Sequence, residues 1–170
     1  MNLFHKDELI HLSDVLPILE NFGLRVIGET PYQVTTSDGE EKWVLDFTML
    51  HDNALDKGFE AAQLRFQEAF SQVWQDNVED DGFNRLILGA NLTGREASII
   101  RAYARYLRQI GGTFSQNYIA NIFANYPYIS GLLVSLFKNM FDPSLEQDGS
   151  AVEKCHEELS DQLELVANLD

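Results

Sequence analysis

The apolar pattern of this chain changes period once, near Gly58, and that change sets the fold class. Ahead of it, Trp43, Leu45, Phe47 and Met49 alternate along KWVLDFTML, the period-two signature of a strand with one buried face. Behind it, Phe59, Ala62, Phe66, Ala69, Phe70 and Val73 recur at helical spacing as far as Trp74. The segments after that also read as helices. The chain is therefore expected to be α+β: a helix–hairpin portion followed by a mostly α-helical portion.

Local signals place the elements. Ser13 reads as an N-cap before Asp14, whose charge suits a helix N-terminus. Leu16, Ile18, Leu19 and Phe22 give that helix an apolar stripe, Gly23 ends it, and Pro17 is tolerable if it falls in the first turn. Leu24 to Thr36 is rich in β-formers. Ser37 to Glu40 is a turn, so the strands on either side form a hairpin. Leu3 to His5 reads as the stub of an earlier strand.

Further on, an acid-rich loop spans Asp76 to Asp81 and a short helix Phe83 to Leu92. Thr93-Gly-Arg-Glu96 is a capping box opening a helix that runs to Gln109 and stops at Gly111-Gly112. Ser115 caps a helix through Asn125, and Pro127 opens another that ends before Asp142-Pro143. Residues 144 to 149 look like a linker. Ser150 to Glu153 repeats the capping-box pattern ahead of a last helix with Val152, Cys155, Leu159, Leu163 and Val166 on one side. The stub strand and a last helix without a C-cap glycine suggest a piece of a longer protein.

Composition narrows the function classes. At 170 residues, with 45% hydrophobic and 23% charged residues, the chain is a globular protein able to build a core. A formal net charge of −15 and a pI near 4.5 argue against a general nucleic-acid binder. The single cysteine, Cys155, excludes an internal disulfide framework and fits a reducing compartment. There is no apolar run of membrane-spanning length and no secretory signal pattern, so the cytoplasm is the default location.

One stretch runs against the overall charge. Between Gly82 and Gly111 lie Arg85, Arg95, Arg101, Arg105 and Arg108 against a single acid, Glu96. A turn of about 100° per residue gathers Ile99, Ile100, Tyr103, Tyr106, Leu107 and Ile110 in one arc and Arg101, Arg105 and Arg108 opposite it. Those arginines read either as a solvated helix face or as a docking face for an acidic part of the same polypeptide or subunit. Nucleic acid is a third reading, opposed by the overall acidity.

No residue pattern names a reaction. Gly89 to Gly94 imitates a phosphate loop, but Arg95-Glu96 stands where Lys-Ser/Thr is needed, and no GxGxxG is present. His51, Asp52 and Asp46 match no metal-ligand spacing. Cys155 and His156 are neighbours on one helix and point apart, which leaves Cys155 as a small core residue. Glu40-Glu41, Asp80-Asp81 and Glu157-Glu158 lie in turns, loops or solvated faces. Phe114, Tyr118, Phe123, Tyr126, Tyr128, Phe137 and Phe141 are expected in the core.

Two long strings carry a resemblance. LSDVLPILENFGLRVIGETPYQV (12–34) with WVLDFTM (43–49), and DGFNRLILGANLTGREASIIRAYARYLRQ (81–109) with FSQNYI (114–119) and FDP (141–143), resemble the large NAD-specific glutamate dehydrogenases of bacteria. The resemblance spans nearly the whole chain, although family members commonly carry tryptophan where this chain has Gly94. It implies a partial ACT-like α+β domain over 1–78, with its first strand mostly missing, and a helical domain over 79–143. A linker over 144–150 and the start of a further helical segment over 151–170 would follow.

The activity so implied is oxidative deamination of glutamate to 2-oxoglutarate and ammonia, with NAD as hydride acceptor. The catalytic residues and the dinucleotide fold would lie elsewhere, so no catalytic, cofactor or metal residue is expected in this chain. Its partners would be other domains and subunits of the same homo-oligomeric enzyme, with an amino-acid effector at the Ser13–Asp14 turn as a further expectation. The alternative is a stand-alone ACT-like amino-acid-sensing or protein-interaction module.

Overall fold

A computed structural model describes residues 1–6, 9–37, 39–51, 59–145 and 149–166. Three strands lead: β1 (Asn2–Lys6), β2 (Leu24–Thr35) and β3 (Glu41–His51), with helix α1 (Leu12–Asn21) between the first two. Helix α2 (Phe59–Trp74) follows, then a 3₁₀ turn (Gly82–Asn84), α3 (Arg85–Gly89), α4 (Gly94–Gln109), α5 (Gln116–Asn125), α6 (Pro127–Phe141) and α7 (Gly149–Glu164). The α+β reading holds, with strands first and helices after.

The sheet is antiparallel with order β1-β3-β2. The strand expected as a stub pairs along its whole length, from Asn2↔Asp46 to Lys6↔Lys42. The β2–β3 hairpin is in register from Leu24↔His51 to Thr35↔Glu41, with one irregularity between Val26 and Gly28. As the alternation predicts, Leu45 and Phe47 are buried and Trp43 and Met49 half-buried. Pro31 sits on the edge strand β2, the position in a sheet that tolerates a missing N–H.

Helix α1 departs from expectation in detail. It starts at Leu12, its N-cap is His11 without a side-chain cap, and Ser13 lies inside it. Pro17 therefore falls beyond the first turn, where its missing N–H leaves the Ser13 carbonyl without an intrahelical donor. Of the expected stripe, Leu19 and Phe22 are buried and Leu16 and Ile18 half-buried, and Val15 joins the buried set. Gly23, at φ +79°, turns the chain into β2.

One core runs through both the sheet portion and the helices. Val15, Leu19 and Phe22 meet Leu45 and Phe47 from the sheet and Phe66 and Phe70 from α2. The Phe22 and Phe66 rings meet edge-on at 5.1 Å. The same cluster continues through Phe83, Leu86 and Ile87 to Ala97, Ile100 and Ala104 of α4, and on to Ile119 and Val134.

Most helix ends follow their sequence signals. Thr93 Oγ1 accepts the Glu96 amide, and Glu96 accepts the Thr93 N–H at 2.8 Å, which closes the capping box. Ser115 Oγ accepts the Tyr118 amide at 3.1 Å. The predicted helix 83–92 is instead the 3₁₀ turn followed by α3. At the far end α7 begins at Gly149, so Ser150 lies within the helix and not ahead of it.

Two glycines stop α4 for different reasons. Gly111 takes φ +100°. Gly112 donates to the Leu107 carbonyl at 2.9 Å, and a Cβ there would sit 2.7 Å from that oxygen. By contrast, a Cβ at Gly131, inside α6, meets nothing within 4 Å. Gly131→Ala should stabilise the protein by about 0.5–1 kcal/mol, the helix-propensity gain. Gly112→Ala should destabilise it by about 1 kcal/mol or more, because main chain must shift. Urea midpoints that move in the same direction for both variants contradict this account.

Candidate docking surface and the buried arginine beneath it

Helix α4 presents a different face to the protein from the one its hydrophobicity predicts. Its buried residues are Ala97, Ile100, Arg101 and Ala104. Tyr103, Tyr106, Leu107 and Ile110, expected inside, are 50%, 56%, 47% and 62% exposed. Arg101, expected beside Arg105 and Arg108 on an open face, is only 2% exposed. The three arginines therefore do not form one surface: Arg105 and Arg108 are exposed and Arg101 is inside.

Arg101 can be buried because every side of its guanidinium is met. Its Nε and Nη2 donate to the two oxygens of Asp81 at 2.8 and 2.9 Å, a bidentate pair. Nη2 also donates to Asn84 Oδ1 at 2.8 Å, and Nη1 to Ser98 Oγ at 3.1 Å. The guanidinium carbon lies 5.9 Å from the centre of the Phe83 ring. Asp81 in turn accepts the Phe83 amide at 3.1 Å, which caps the 3₁₀ turn, and Gln116 Nε2 at 3.1 Å, which ties in α5. Asn84 is 1% exposed and donates to the Glu79 carbonyl at 3.2 Å.

The acid-rich loop thus supplies the counter-charges for α4. Outside the buried pair, Arg105 Nη1 reaches Glu79 Oε1 at 2.8 Å. Burial on its own would raise the Glu79 carboxyl; the hydrogen bond from Arg105 and the charges of Arg105 and Arg101 outweigh it and hold the group below its usual 4.5. Glu96 behaves alike. Burial pushes it up, but the Thr93 amide and the Lys138 ammonium, 3.0 Å away, bring it below the usual 4.5.

Composition and helical period had pointed away from this network. The signals that mark it are small residues at Ala97 and Ala104, one face with Arg101, and an aspartate two residues before Phe83 in a turn-forming Asp-Gly-Phe-Asn.

The other sequence candidates are dispersed. Ser13 and Asp14 are exposed and engage each other, Ser13 Oγ donating to Asp14 at 3.3 Å, and neither lines the cleft along β2 or the one beside β1 and β3. A cleft of about 970 Å³ lies along the free edge of β2 with Glu20, Arg25, Glu29 and Arg85 on its walls. Cys155 is a buried core residue whose thiol faces the Leu132 carbonyl at 3.4 Å, and burial pushes its pKa up. Asp52, paired in expectation with His51, lies outside the described residues. Among those described, no group of three or more His, Cys, Asp or Glu residues is placed to hold a metal ion. No single described helix is long and apolar enough to cross a membrane. Of the aromatics expected in the core, Phe114, Tyr118, Tyr128 and Phe141 are instead 60%, 40%, 55% and 57% exposed.

The fold is α+β, a three-stranded antiparallel sheet that shares one core with the helices after it. Sequence comparison places that fold in a family. The model of the glutamate dehydrogenase ACT3 domain matches residues 1–64, and that of glutamate dehydrogenase helical motif 3 matches residues 78–143. The NAD-specific glutamate dehydrogenase of Halomonas elongata is 44% identical over 170 residues, all of this chain and 10% of that protein. That of Pseudomonas aeruginosa is 45% identical over 139 residues, 82% of this chain and 9% of that protein. That of Mycobacterium tuberculosis is 36% identical over 137 residues. The chain belongs to the NAD-specific glutamate dehydrogenase family, and it spans about a tenth of the length of these relatives.

Removing the Arg101 side chain leaves the Asp81 carboxylate without its main partner. Arg101→Ala should destabilise the protein by about 3 kcal/mol. Arg108→Ala, at an exposed position, should change stability by no more than about 0.5 kcal/mol. Urea unfolding of the two variants checks the contrast, and equal losses would remove the distinction between them.

A pH series tests the depressed carboxyls. Glu79 and Glu96 have folded values below their unfolded ones, so near those values the unfolded chain binds more protons than the folded one. Their contribution is complete above the usual 4.5 and is lost as pH falls through the lowered folded values. Between about pH 6 and about pH 3, Glu96→Gln should therefore lose less stability than the parent protein. An equally steep loss in both would show that Glu96 is not a source of the acid sensitivity.

Proposed function

We propose that these residues form a non-catalytic, architectural and regulatory region of an NAD-dependent glutamate dehydrogenase. The parent enzyme would deaminate glutamate oxidatively to 2-oxoglutarate and ammonia, with NAD accepting the hydride, in the cytoplasm. The region comprises a partial ACT-like portion over 1–78, a helical portion over 79–143 and, past a linker that begins at 144, the start of a further helical segment from Gly149. Its partners are other domains and subunits of the same enzyme.

One observation carries this reading. The densest set of charged and polar groups, centred on Arg101 and Asp81, is closed upon itself: each group is committed to another element of the fold. Catalytic carboxylates and bases need a free face toward substrate. Here the same residue types fasten α4, the 3₁₀ turn and α5 together. Exposed apolar residues on α4 and the loop after it support contact with other protein.

A second reading, an amino-acid-sensing module, is favoured by the cleft along β2, where Arg25 and Arg85 offer cations and Glu20 and Glu29 offer anions to a zwitterion. The exposed, mutually bonded Ser13 and Asp14 would lie outside that site.

The purified chain, incubated with glutamate and NAD, should form no reduced nicotinamide by absorbance. Turnover by the chain alone overturns the non-catalytic reading. Calorimetric titration with a panel of amino acids separates the two readings: saturable heat with one of them, abolished by Arg25→Ala, favours the sensor.

A further inference from the structure

From Ala97 to Phe141 the chain contains no Asp or Glu, although it carries 27 acids elsewhere. Arg101, Arg105, Arg108 and Lys138 are the charged residues of this stretch, and Arg101 is neutralised inside the protein. The end of α4 and the loop after it project from the body, every residue from Arg105 to Ser115 being exposed. On this tip and the adjoining turns of α4 and α5 stand Tyr103, Tyr106, Leu107, Ile110, Phe114 and Tyr118, between 40% and 62% exposed. Six side chains of this size, about half open, present on the order of 500 Å² of apolar surface. A patch of that size is comparable to the largest on a folded monomer, and such patches are often functional. Phe114 and Tyr118 stack at 5.1 Å, and Gly111 and Gly112 fix the turn, so the patch is ordered in advance.

A surface complementary to this tip is present on the same chain. Helix α7 carries Glu153, Glu157, Glu158, Asp161 and Glu164 against one lysine, Lys154. Cys155 and Leu159 are its buried residues, while Leu163 and Leu165 at its end are 53% and 76% exposed. One surface is apolar and basic; the other is apolar and acidic.

We propose that the α4–α5 tip of one copy of this chain docks onto the acidic, leucine-bearing end of α7 of a second copy. Arg108, exposed and without an ion-pair partner among the described residues, faces the α7 carboxylates. Tyr106, Leu107, Ile110 and Phe114 cover Leu163 and Leu165. A two-fold axis makes the contact twice and closes the pair, so that the buried total passes the roughly 1,000 Å² that a specific interface requires. This partner deepens the architectural reading above and rests on it.

The test is sedimentation velocity of the chain over a range of concentrations and salt. A dimer is expected that weakens as salt rises, because the Arg108 contacts are screened. Two double variants on opposite surfaces, Tyr106→Asp with Ile110→Asp and Leu163→Asp with Leu165→Asp, should each weaken association at least about tenfold. Arg108→Glu should weaken it as well. All five positions are exposed, and an unchanged far-ultraviolet circular dichroism spectrum shows that the variants fold. A chain that is monomeric throughout overturns the proposal, as does a dimer that survives either double variant. Either failure leaves the turnover assay unaffected, so the architectural reading stands or falls separately.

Discussion

The helical half of this structure depends on the burial of one cation. Arg101 enters the protein only because Asp81 meets it with both oxygens while Asn84 and Ser98 take further donors. Removing a single partner from such a set leaves a desolvated charge, which costs far more than the pair contributes when intact. The interaction therefore holds α4, α5 and the 3₁₀ turn in one arrangement, the one in which a carboxylate and an amide reach the guanidinium together. Glu79 and Arg105 extend the set outward to solvent, where the Coulomb term is weak and screening is strong.

Fixing α4 in this orientation has a second effect. Of the face that helical periodicity marks as the core, Ile100 stays inside while Tyr103, Tyr106, Leu107 and Ile110 are turned out, and the buried face is built from alanines, that isoleucine and an arginine. Small residues let α4 approach the 3₁₀ turn and α5 closely enough for the ion pair to be short. The aromatic and branched residues left outside are then available to another protein surface.

The fold was largely legible because its signals are local. The hairpin followed from alternation at Trp43 to Met49, and Thr93, Ser115 and Pro127 announced helix starts through backbone groups within one turn. Ser13 failed because hydroxyl caps and helix-interior serines look alike in sequence, and the helix starts two residues earlier, at Leu12. The rotation of α4 was not legible, because the hydrophobic pattern scores an arginine as solvent-seeking whatever lies opposite it. Its acid, Asp81, is twenty positions away, and only the tertiary fold brings the two together. The family membership was readable from the two long strings; the closed Arg101 network was not.

The core described above joins Phe22 of α1 to Phe66 and Phe70 of α2, and continues from there to Phe83 and Ile100. The segments recognisable as an ACT3 domain and as helical motif 3 are separated by residues 65–77, and this shared interior spans that gap. Two units that can be told apart by sequence thus share one interior, which couples their unfolding. A cavity opened at Phe22 would loosen α4 as well as the sheet, and the junction between the two segments is a fused joint, without the freedom of a hinge.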